Sequence, residues 1–132
     1  MLKSPLFKHT FILLFIISVL DVVSATLYLH WTVWWFDVIL HFLGGACAGM
    51  TVLLIWHYRY NKTTSQLKII WVSVGGALLI GLLWEVYELL LAVTSFSNGI
   101  FYWRDTFSDL IMDICGGFLG ALYSFKILSR NV

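Results

Sequence analysis

Apolar runs long enough to cross a bilayer dominate this chain, at about residues 10–29, 33–56, 69–93 and 105–127. About 20 consecutive apolar residues span the hydrocarbon core as a helix. Backbone polar groups find no water there, so such runs must satisfy their hydrogen bonds internally and fold as helices. The expected fold is therefore all-α: a polytopic membrane protein built as a four-transmembrane-helix bundle, with residues 1–132 forming a single transmembrane domain. Composition excludes the soluble alternative, because 61% of residues are hydrophobic and only 11% charged. Soluble domains carry about 25% charged residues. A net charge of +1 gives no footprint for nucleic acid, and none is expected as a partner. The two cysteines, Cys47 and Cys115, sit inside glycine-containing apolar runs and read as small packing residues rather than a disulfide framework.

The first run, Thr10 to Leu29, follows a short basic leader with Lys3 and Lys8 and is interrupted only by Asp21. A signal peptide would use Lys3 and Lys8 as its n-region, Phe11–Leu20 as its h-region and Val23-Ser24-Ala25 as a cleavage site. Apolar character continues past Ala25 through Leu29, which favours a transmembrane helix. The aromatic patch from His30 to Phe36 suits an interfacial turn, as does the stretch Thr94 to Arg104, while Tyr58 to Lys68 is the main polar break. Lys3, Lys8, Arg59, Lys62, Lys68, Lys126 and Arg130 fall on one side and only Arg104 on the other. By the positive-inside rule the protein is expected in the cell (inner) membrane, multi-pass, with both termini cytoplasmic.

That orientation puts all seven acidic residues in the half facing away from the cytoplasm. Counting about 1.5 Å per residue from the outer helix ends puts Asp21, His41, Glu85, Glu88, Asp109 and Asp113 roughly 7–15 Å deep. Asp37 comes out at about 6 Å and Asp105 near the surface. A carboxylate at the centre of a membrane helix costs roughly 2.5–3.5 kcal/mol, so a layer of them points to a site. Spacing reinforces this. Asp37 and His41 stand one turn apart, as do Glu85 and Glu88, and Asp109 and Asp113. Cationic partners near the layer are few, so protons or metal ions must supply the remaining positive charge. The candidate metal ligands are Asp37, His41, Glu85, Glu88, Asp109 and Asp113. An oxygen-rich set with one nitrogen favours a divalent Mn, Mg, Fe or Zn ion without choosing among them. Asp21 reads equally well as a packing hydrogen-bonder, and Asp105 as the N-terminal cap of the fourth helix. His30 reads as an interfacial polar residue, and His9 and His57 as solvated edge residues.

An internal echo links the second and fourth runs: Asp37-x₃-His41-x₂-Gly44-Gly45 against Asp109-x₃-Asp113-x₂-Gly116-Gly117. Two helical hairpins related by a pseudo-twofold would account for it. Small-x₃-small faces at Gly45/Gly49 and Gly116/Gly120 would let these helices cross closely and bring His41 opposite Asp113.

Three pieces together resemble the YjdF-type bacterial inner-membrane proteins, which are loosely similar to the VanZ-like family. They are Asp37-Val38-Ile39-Leu40-His41-Phe42-Leu43-Gly44-Gly45, then Trp84-Glu85-Val86-Tyr87-Glu88, then Trp103-Arg104-Asp105-Thr106-Phe107-Ser108-Asp109 followed by Gly116-Gly117. The resemblance implies a polytopic membrane protein with an intramembrane polar cluster. It supplies no reaction.

Three functions compete. An accessory or structural envelope protein would use the polar cluster, with or without bound metal, to specify its bundle. A metal-dependent membrane hydrolase or phosphotransferase would act on a lipid-borne substrate, with Glu85 or Glu88 as general base. No Gly-x-Ser-x-Gly motif accompanies that reading, and only Arg104 stands ready to hold phosphate. A divalent cation or proton carrier would line its path with the same acids, but none lies in the cytoplasmic half. The partners expected are the bilayer and either a lipid-borne substrate or another membrane protein.

Overall fold

The computed structural model describes residues 4–60, 65–91 and 94–129, and leaves the side chains of residues 30 and 31 undescribed. Lys3, Lys62 and Arg130 fall outside it, as does the His30 side chain. Four long helices form a bundle: α1 (Pro5–Leu27), α3 (Trp34–Tyr60), α4 (Gln66–Leu90) and α5 (Ile100–Ser129). A single turn, α2 (Leu29–Thr32), joins α1 to α3, and a 3₁₀ turn at Phe96–Asn98 precedes α5.

Local chemistry sets the first boundaries. Ser4 caps α1 by accepting a hydrogen bond from the Phe7 amide at 3.1 Å, with Pro5 in the first turn where its missing N–H is not needed. Tyr28 ends α1 in the left-handed region at φ 56°. Gly99, at φ 60°, turns the chain into α5.

α5 therefore starts at Ile100, five residues before the expected Asp105, and Asp105 is no cap. It lies in the second turn of the helix, with Phe101, Tyr102 and Trp103 in the first. The aromatic run looked like an interfacial loop because aromatic belts mark where hydrocarbon ends, not where a helix does. At 30 residues α5 is roughly 45 Å long against a hydrocarbon core of about 30 Å, so its ends reach past the core. Tyr102 is buried there, its ring edge-on to Phe96 at 5.0 Å.

The bundle is apolar outside and half polar inside. Trp34, Trp71, Leu90, Ile100 and Phe101 are each more than 70% exposed. Apart from glycine, the described buried residues comprise nine hydrophobic and nine polar or charged ones. That inversion suits lipid and would be an aggregating surface in water.

α3 and α5 form the central pair, and glycines set their distance. A Cβ on Gly45 would collide with the backbone of Asp113, and one on Gly116 with the Phe42 carbonyl. Ala46 O would stand 2.7 Å from a Cβ on Gly120. The expected crossing at these glycines is thus present. α4 packs against both members of the pair, and its buried Ser73 hydroxyl donates to the Gly117 carbonyl at 2.8 Å. α1 packs mainly on α3, touches α5 slightly and does not contact α4. The two hairpins are alike at the α3–α5 crossing and unlike at their outer helices.

At one end, which carries Lys8, Arg59, Lys68 and Lys126, the described interior is apolar apart from the hydroxyls of Thr10, Ser73 and Ser124. Leu6, Met50 and Leu54 form one cluster, and Leu53, Ile69 and Ala121 another. The carboxylates occupy the opposite end.

Candidate metal centre

Helices α3, α4 and α5 each deliver one polar face to the same interior. His41, Glu85, Glu88, Asp109 and Asp113 are all at least 94% buried. His41 Nδ1 lies 3.2 Å from Asp113 Oδ2, which meets the expectation that these two residues face each other. They are also equivalent positions in the echo. With Asp113 ionised the bond takes its hydrogen from Nδ1, and a neutral ring in that arrangement turns an Nε2 lone pair toward a ligand. His41 Nε2 is buried with no hydrogen-bond partner.

Two carboxylate oxygens share that condition, Glu85 Oε1 and Asp109 Oδ1, as do the hydroxyls of Ser24, Thr94 and Ser124 elsewhere in the chain. Glu85 and Asp109, with His41, form a fully buried triad in which one ligand atom from each lies within 4.8 Å of the others. Metal–ligand bonds of about 2.0–2.2 Å would draw three such atoms to about 3.3–3.8 Å from one another, so closure around an ion would pull the three side chains inward. Two more groupings meet the same 4.8 Å limit: Asp37, His41 and Glu88, and Asp37, Asp105 and Asp109. Asp37 is half-buried and Asp105 exposed, so these open outward from the buried triad.

The expected ligands divide in two. Asp37, His41, Glu85, Glu88 and Asp109 come together, whereas Asp113 is outside all three groupings and instead holds His41 by its far nitrogen. Carboxylates that orient a ligating histidine in this way tune its basicity and fix its ring. Asp105, expected only as a cap, joins Asp37 and Asp109. Asp21 enters no grouping and lines a cavity on the α1 side.

Sequence reading missed three residues. Thr106 donates its hydroxyl to Glu85 Oε2 at 2.6 Å, and the Trp84 indole donates to Glu88 Oε1 at 3.0 Å. Gly81 makes room for Asp113, whose carboxylate would collide with any Cβ there. The four-residue spacing of Trp84 and Glu88 was a usable signal. Thr106 and Gly81 act across helices, and no spacing within one run reveals them.

A family model described as "Predicted membrane protein (DUF2238)" matches residues 2–130. The chain belongs to the DUF2238 family. The match covers all four long helices, so the polar cluster lies within the DUF2238 region throughout. No curated protein and no solved structure matches the chain.

Proposed function

We propose that this DUF2238 protein is an inner-membrane metalloprotein whose His41, Glu85 and Asp109 hold one divalent ion that ties α3, α4 and α5 together, in an accessory or structural envelope role. One observation carries the reading: three buried polar atoms without hydrogen-bond partners belong to three residues from three helices that stand within ligand reach of one another. Leaving such atoms bare in a membrane interior costs about 1–3 kcal/mol each, more for charged groups, and a shared cation removes the whole cost. Asp113 and Thr106 would act as outer partners, fixing the His41 ring and one Glu85 oxygen. The ligand chemistry fits Mn, Mg, Fe or Zn.

With Lys8, Arg59, Lys68 and Lys126 at one end, the positive-inside rule puts both termini in the cytoplasm and the metal centre in the outer half of the bilayer. Cobalt substitution tests the ligand set. Titrating Co²⁺ into purified protein should give visible absorption saturating at about one equivalent, absent in Glu85→Gln/Asp109→Asn. Absorption of the same intensity in that double variant would refute it.

A second reading has its own support. A cavity of about 530 Å³ reaches Asp37, His41 and Asp113, and an open flank is what a catalytic site has and a structural one lacks. In a hydrolase or phosphotransferase acting on a lipid-borne substrate the ion would supply Lewis acidity, and Glu88, held by Trp84, would take the proton from water. Lipid turnover that stops on chelation and in Glu88→Gln would support this reading over the accessory one.

A further inference from the structure

The cavity beside the metal centre fills the gap between α1 and α4, which do not touch, and α3 forms its floor. Its length is mainly apolar, from Ile55 toward Leu14 and Ile17, with the Ser18 and Thr51 hydroxyls turned back to carbonyls of their own helices. Its ionisable groups gather at the other end, where Asp21, Asp37 and the His41–Asp113 pair stand. No lysine or arginine lines it. His41 and Asp113 answer each other, and Asp37 belongs to the metal-ligating groupings. Asp21 is left over: a half-buried carboxylate on a membrane helix, in the wall of an apolar cavity, in none of those groupings.

We propose that this cavity binds a cationic amphiphile, an amine or onium head on an apolar body, with Asp21 as its counter-ion. The occupant follows from charge and shape together. Carboxylates at one end and no lysine or arginine along the wall repel an anionic head and attract a cationic one. The apolar walls take a chain or aromatic body that enters sideways from lipid through the gap between α1 and α4.

Two ions of the same shape and opposite charge make the test, tetraphenylphosphonium and tetraphenylborate. Equilibrium binding to the full chain in a neutral detergent should be saturable at one site for the phosphonium and undetectable for the borate. Asp21→Asn should weaken phosphonium binding by at least about tenfold, and Asp21→Glu should restore most of it. Gly44 lines the cavity, and a Cβ there meets nothing within 4 Å, so Gly44→Phe should fill the space and abolish binding without a clash in the bundle. Metal content, measured on the same samples, should stay at the wild-type level in both Asp21 variants and in Gly44→Phe. Equal binding of the two ions, preference for the borate, or undiminished phosphonium binding by Asp21→Asn would overturn the proposal. Phosphonium binding in a protein that holds no metal would leave it standing and sink the metal reading instead.

Discussion

The two ends of this bundle are built by opposite means. At the basic end Leu53, Ile69 and Ala121 pack as an ordinary apolar core, with Leu6, Met50 and Leu54 beside them. At the other end the same helices put a histidine and four carboxylates in the interior, and glycines bring the backbones close enough to hold them there. Among its described residues the basic end buries no charge, and packing in lipid needs only shape. The acidic end buries four carboxylates, and it leaves atoms of His41, Glu85 and Asp109 without hydrogen-bond partners. One half specifies the fold, and the other uses it.

Substitutions at the two ends should therefore fail differently. The largest effect belongs to His41→Ala. Structural zinc sites are worth about 10–16 kcal/mol from four ligands, so losing one ligand should cost on the order of 4 kcal/mol, about a thousandfold in metal affinity. Competition against a fluorescent chelator would read it, and affinity within tenfold of wild type would contradict it. Leu53→Ala comes next, with about 2–3 kcal/mol lost from unfolding in bicelles and no change in bound metal. Metal loss in that variant would mean that the two ends are not separable. Asp113→Asn, which keeps the shape but weakens the hold on His41, should lower metal affinity by about 10–100-fold. A larger loss than that of His41→Ala would make Asp113 a direct ligand.

The sequence made the membrane class plain because the apolar runs admit no other solvent. It also named polar residues that the helices bury together, since spacings of three or four within one run put Glu85 with Glu88 and Asp109 with Asp113. The His41–Asp113 contact was readable from the glycine echo, which says where two backbones cross. Asp105 was misplaced because aromatic residues at the edge of a run mark the bilayer boundary, and α5 continues through it. Thr106, Gly81 and the α1–α4 gap were not readable at all. Each depends on which helix neighbours which, and apolar surfaces in lipid carry little information about that.

Elemental analysis of the purified wild-type chain tests the acidic end most directly. After exhaustive dialysis, about one divalent ion per chain should remain bound, removed by a strong chelator with a fall in thermal stability, and missing from His41→Ala. A wild-type chain that carries no metal, and whose stability responds neither to added divalent ions nor to His41→Ala, would mean that these buried ligand atoms hold nothing.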